Sequence, residues 1–205
     1  MSRLNFLDKY AVGDRHYDVH HELDKALSHE DPRNRQAAVE HSKATAEHID
    51  KALGDRYMSV RYAASQHPNA TKEHLDRALN DKDPYVRRAV AEHPNATEKH
   101  LDKALDDTST SVRIAAVENP NATNENLHKA LNDEEWAVRG LVTKNKNATK
   151  EHLDRAINDT HWYVRGMVVK NPKATKEHFD KALSDEDSKV SDSAKKSPNY
   201  KRYFQ

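Results

Sequence analysis

Arginine, histidine, tryptophan and glycine recur in this 205-residue chain at spacings that invite chemistry. Arg35, Arg61, Arg87, Arg113, Arg139 and Arg165 stand 26 residues apart. A row of guanidinium groups along one side of a molecule is suited to reading phosphates. A structural reading competes with that one and is the stronger. Asp55, Asp81, Asp107, Asp133 and Asp159 each lie six residues before one of the last five arginines, and a planar guanidinium pairs bidentately with a carboxylate, within one segment or between neighbours.

Fourteen histidines raise the question of a metal. His48, His74, His100, His152 and His178 share one position of the same 26-residue period. Copies on neighbouring packed segments would stand about 8–10 Å apart, too far to share a zinc ion held at about 2 Å from each nitrogen. His16 and His20, with His21 adjacent, are better spaced but have no fixed further ligand nearby. These histidines read as surface residues, and no metal or cofactor is expected. Asn69-Ala70-Thr71 and its copies at Asn95, Asn121 and Asn147 match the glycosylation sequon, but a turn followed by a helix cap accounts for them.

The two tryptophans form the most specific pattern. Trp136 precedes Gly140 by four residues and Trp162 precedes Gly166 by four, at equivalent positions of adjacent periods. Glycine inside a helix costs up to about 1 kcal/mol against alanine, and residues four apart share a helix face. Two readings stay open: a packing exchange in which a large ring fills the space of a missing side chain, or a groove with tryptophan as anchor for a ligand or an inserted partner side chain. Tyr163 is adjacent. Lys144 and Lys170 follow at a position that is Glu40, Gln66, Glu92 and Glu118 in the earlier periods and Lys196 in the last, so one ridge changes from acidic to basic along the chain.

Composition removes several classes. The chain has no cysteine and 34 basic against 34 acidic residues. Disulfides, thiolate metal sites and cysteine nucleophiles are excluded, and a protein held to nucleic acid by bulk charge would show a basic excess. Four glycines leave almost no material for a phosphate-cradling loop, and no nucleophile elbow, HExxH or paired-carboxylate signature is present. No apolar run approaches the roughly 18 residues of a membrane span, and residues 1–12 lack a signal-peptide core, so a cytoplasmic protein is expected.

Elements that position these residues follow from the period itself. Ala-Thr recurs at Ala44, Ala70, Ala96, Ala122, Ala148 and Ala174. Seven units of 26 run from Asp18 to Asn199 without insertion, which is the mark of a repeat array. In the third, Thr71 is a helix N-cap, and Leu75, Ala78 and Leu79 form an i, i+3, i+4 apolar stripe. Asp83-Pro84 starts a second helix with proline at its first position, Val86, Ala89 and Val90 repeat the stripe, and His93-Pro94-Asn95 ends it. Each unit is thus a pair of short helices, unstable alone and held by the repeats on either side. Only 35% of residues are hydrophobic, as suits a thin core rich in alanine. Leu4, Phe6, Leu7, Tyr10 and Val12 mark residues 1–17 as an N-terminal cap, and Tyr200, Tyr203 and Phe204 mark residues 200–205 as a C-terminal one.

The running pattern Asp-x-Asp-Pro-x-Val-Arg-x-Ala-Val-Ala-x-His/Asn-Pro-Asn-Ala-Thr, followed by Leu-x-x-Ala-Leu, resembles leucine-rich repeat variant units and is similar to a short HEAT repeat. The resemblance covers residues 18–199. It implies an all-α, right-handed α-solenoid of seven two-helix repeats with degenerate terminal caps. Some members of that family carry an iron–sulfur cluster on cysteines, which this chain lacks.

The expected function is a non-enzymatic scaffold, adaptor or inhibitor that binds a macromolecule, foremost a protein, along its curved face. The residues expected to serve it are those that vary at fixed repeat positions: Tyr85, Arg88, Trp136, Gly140, Lys144, Trp162, Tyr163, Gly166 and Lys170. A HEAT-like DNA-binding or DNA glycosylase-type protein is the alternative, and a nucleotide or small-molecule sponge using the Trp136/Trp162 groove is a third reading. Nothing in the sequence fixes the oligomeric state.

Overall fold

A computed structural model describes residues 18–204; the expected cap over residues 1–17 lies outside them. The described residues form helices and no strand, in two compact units that divide between Asn95 and Ala96. The first holds α1 (Val19–Leu27), α2 (Pro32–Val39), α3 (Ala46–Leu53), α4 (Met58–Ser65), α5 (Lys72–Ala78) and α6 (Pro84–Glu92). The second holds α7 (Glu98–Ala104), α8 (Thr110–Glu118), α9 (Asn124–Ala130), α10 (Trp136–Val142), α11 (Lys150–Ala156), α12 (Trp162–Val168), α13 (Lys176–Leu183), α14 (Ser188–Lys196) and α15 (Lys201–Phe204). Two helices per 26-residue repeat is the α-solenoid arrangement, with three repeats in the first unit and four in the second.

Within each unit the helices form two layers. First helices pack on first helices, as α1 on α3 and α3 on α5; second helices pack on second helices, as α2 on α4 on α6 and, separately, α8 on α10 on α12 on α14. The apolar stripes meet between the layers. Leu23, Ile49, Leu75, Leu101, Leu127, Leu153 and Phe179 occupy one first-helix position and are fully buried, and so are Val60, Val86, Val112, Val138, Val164 and Val190 on the second helices. The last repeat differs from the others in having Phe179 there. Its ring meets Tyr200, Tyr203 and Phe204 at centroid distances of 6.4, 5.6 and 6.1 Å, and the Tyr203 hydroxyl donates to the Ala174 carbonyl. The C-terminal aromatics thus cover the apolar edge of the seventh repeat.

Helix ends follow the caps expected from the sequence. Thr45, Thr71, Thr97, Thr123, Thr149 and Thr175 are the N-caps of the first helices. Asp31 and Asp83 cap second helices that open with proline. Where the N-cap side chain makes no such bond, as at Tyr57 and Glu135, the turn before it is fixed by an aspartate two residues earlier. Asp55 Oδ1 accepts from the Tyr57 amide and Asp133 Oδ1 from the Glu135 amide, both at 2.8 Å. This is the local bonding that favours aspartate in turns.

Candidate functional site

The arginines are committed to the fold. Arg113 Nε donates to Asp133 Oδ2 at 2.7 Å and Nη2 to Asp133 Oδ1 at 3.0 Å, twenty residues ahead in the next repeat. The same forked pair joins Arg139 to Asp159 and Arg165 to Asp185 in the second unit, and Arg35 to Asp55 and Arg61 to Asp81 in the first. The aspartate six residues before each arginine from Arg61 onward plays a different part from the one its spacing suggests: its backbone carbonyl, and not its carboxylate, accepts from Nη1, as Asp107 does from Arg113 at 3.0 Å. Asp55, Asp81, Asp133 and Asp159 therefore each fix a turn, bind the preceding repeat's guanidinium and supply a carbonyl to their own. Arg165's hydrogen bonds hold the Asp185 carboxyl below the usual carboxylate range. Burial pushes Asp159 the other way, but Arg139 and the His161 amide outweigh it and leave that carboxyl lowered as well.

The periodic histidines are buried, contrary to the surface reading. His48, His74, His100, His152 and His178 sit at the third position of the first helices, each less than a tenth exposed. Nδ1 of each accepts the amide N–H of the capping threonine at 2.8–3.0 Å. In the fifth repeat Asn126 does the same through Oδ1, at 3.0 Å from Thr123 N. The imidazole completes a reciprocal capping box, a place usually filled by Glu or Gln. Asn69, Asn121 and Asn147 use their side-chain amides on carbonyls of the preceding repeat, which agrees with the turn reading of the sequons.

What remains on the second-helix face of the second unit is an aromatic column. Trp136 stacks on His161, centroids 4.6 Å apart and planes 10° from parallel. His161 stacks in turn against Trp162 at 5.8 Å, and Lys189 Nζ lies 4.5 Å above the Trp162 ring. Tyr163 meets both indoles edge-on, at 5.0 and 5.8 Å. The column crosses repeats five, six and seven, and Trp136 at its end is 40% exposed. Sequence reasoning singled out the tryptophans and Tyr163 but missed His161 and Lys189, whose only signal is aromatic or cationic character at positions flanking Trp162 and its repeat equivalent, Ser188.

Neither glycine leaves bare backbone beside its indole. A Cβ on Gly140 would stand 3.1 Å from Tyr163 Cε1 and 3.2 Å from Cδ1: the tyrosine of the following repeat fills that space. At Gly166 the equivalent neighbour is Lys189, which turns onto Trp162, and the nearest atom to an added Cβ is Ser193 Oγ at 3.2 Å. A cleft of about 330 Å³ opens here, one repeat beyond Gly140, lined by Trp162, Lys170, Lys189, Asp192, Ser193 and Lys196.

No known family's sequence pattern and no curated protein matches the chain. Among solved structures, the one described as "a leucine-rich repeat variant with a novel repetitive protein structural motif" is similar at a TM-score of 0.70 and 21% identity, over 89% of this chain and 72% of that one. The chain has the helical-repeat fold of a leucine-rich repeat variant. That likeness carries architecture alone, because function in such folds resides in side chains grafted onto them.

On this leucine-rich repeat variant fold the other candidates are placed as follows. Tyr85, 60% exposed, and Arg88, paired with Glu92 at 2.7 Å, lie on α6 in the first unit; Trp136, Gly140, Lys144, Trp162, Tyr163, Gly166 and Lys170 all lie in the second. The repeat position whose charge changes sign along the chain is exposed in every repeat, from Glu40 to Lys196. No helix among the described residues is long and apolar enough to cross a membrane.

Proposed function

We propose that this chain is a cytoplasmic, non-enzymatic binding protein, an adaptor or inhibitor, that engages another protein through the second-helix face of repeats five to seven. The carrying observation is the column Trp136–His161–Trp162, prestacked and ending in an exposed indole. Rigid aromatic side chains of this kind dominate binding energy at protein interfaces, and here the rings are ordered before any partner arrives, which lowers the entropic cost of association. Lysines beside the column add a steering field for an acidic partner.

Two observations favour this reading over its competitors. Five of the arginines that would hold duplex DNA are already forked onto aspartates. The small-molecule recess beside Gly140 is filled by Tyr163. Affinity capture with the wild-type chain and with Trp136→Ala tests the proposal. A stoichiometric protein retained by the first and lost from an equally folded second supports it. Retention of duplex DNA with steep salt dependence, or equal recovery of the protein by both chains, contradicts it.

A further inference from the structure

The cleft between α12 and α14 has a chemistry of its own. It is lined by Lys170, Lys189 and Lys196 against a single acidic residue, Asp192, an excess of two positive charges, and by Ser193, whose hydroxyl donates to the Lys189 carbonyl and so offers only its lone pairs. Three other lysines of the second unit are neutralised: Lys129 binds Asp102 and Asp106, Lys150 binds Asp154, and Lys176 binds Asp180. Among the described residues no carboxylate comes within ion-pair distance of Lys170, Lys189 or Lys196, although Asp192 stands three residues from one and four from another, where helix pairs ordinarily form. Lys189 is held instead over the Trp162 ring. Its ammonium covers that face of the indole, so the cleft offers charge and hydrogen-bond donors in preference to a free stacking surface.

The repeat explains how the cleft arises. In the sixth repeat Tyr163 closes the space over Gly140; in the seventh, Lys189 takes the tyrosine's place, and the small Ser193 lies over Gly166. Exchange of a ring for a flexible cation turns filled space into a basic hollow. Its volume of about 330 Å³ lies at the low end for small-ligand sites, enough for an oxyanion together with the group that carries it.

We propose that this cleft is an oxyanion site that receives a phosphoryl group, presented on a phosphorylated side chain of the protein partner. A phosphomonoester carries between one and a half and two negative charges near neutral pH and three acceptor oxygens, which matches two excess positive charges and the N–H donors of the lining lysines. The source on a partner rests on the function proposed above; the oxyanion chemistry does not.

The test uses the full chain carrying Trp136→Phe, which leaves Trp162 as the sole indole and Lys189 as its neighbour. The tripeptide Gly-phosphoserine-Gly should change Trp162 fluorescence saturably, with inorganic phosphate competing and Gly-Ser-Gly inert at matched ionic strength. Lys170→Gln combined with Lys196→Gln, both exposed and expected to leave the melting temperature unchanged, should weaken the phosphopeptide by about tenfold or more. A response that never saturates, that Gly-Ser-Gly reproduces, or that survives the double change at full affinity overturns the site. Saturable binding of adenosine monophosphate with no response to the phosphopeptide overturns the partner side chain as source. The titration needs no partner, so its failure leaves docking on the Trp136 column standing, and failure of affinity capture leaves the oxyanion site standing.

Discussion

Arg113 grips Asp133 of the next repeat with two parallel hydrogen bonds, 2.7 and 3.0 Å long, while its third nitrogen reaches the carbonyl of Asp107 behind it. Both side chains are more than nine-tenths buried. One residue thus ties two consecutive turns together. Removing it leaves a buried carboxylate without its counter-ion, the costly way to break such a pair. Arg113→Ala should lower unfolding free energy by about 3 kcal/mol in denaturant titration, with partner binding by the remaining folded fraction unchanged. Full stability together with lost binding would move the arginines from the frame to the site.

The two helix-interior glycines should respond differently to alanine. At Gly166 the obstacle is a single atom, the Ser193 hydroxyl at 3.2 Å, which donates to the Lys189 carbonyl and need yield only a few tenths of an ångström, so Gly166→Ala should gain a few tenths to about 1 kcal/mol from helix propensity. At Gly140 the obstacle is the Tyr163 ring, held between both indoles. Gly140→Ala should therefore show no gain, or a loss, in thermal melts, and Tyr163→Leu in the same chain should restore the gain. Equal stabilisation at both glycines would contradict the packing described.

Acid should weaken the fold through its histidine caps. Burial away from water lowers the pKa of His152 and of His178, with the nearby Asp154 pulling His178 only partly back. As pH falls through about 6.5, the unfolded chain takes up protons that these folded imidazoles refuse, so their contribution is complete above that value and is lost below it. Unfolding free energy should be level above about pH 7 and decline toward pH 5.5. Asn126 already fills this position without a titrating group, so His152→Asn with His178→Asn should keep the caps and flatten the decline. An unchanged acid limb in that variant would assign the loss to other groups.

Much of the frame was legible because each element is local. Thr71 and Asp83-Pro84 announce helix starts, and the leucine and valine stripes announce the buried faces, since caps and periodicity act within a few residues. Partner choice across repeats was not legible. Asp107 lies six residues before Arg113 in the chain, yet Asp133, twenty residues after it, supplies the carboxylate, because stacking brings the next turn closer than the sequence implies. The histidines misled for a related reason: polarity at a fixed helix position reads as exposure unless the threonine three residues earlier is taken as its partner. Trp136, Trp162 and Tyr163 stood out by type. The cleft did not, since it depends on Lys189 replacing a ring that elsewhere fills the gap.

Docking of a protein partner on the second-helix face of repeats five to seven can be read by hydrogen exchange, with lysine-modification footprinting, on the isolated complex. Exchange should slow along α10, α12 and α14, and Lys170, Lys189 and Lys196 should be protected from modification, with α9, α11 and α13 unaffected on their outer side. Protection confined to the first helices, or to Tyr85 and its surroundings in the first unit, with the Trp136 column unchanged, would contradict it.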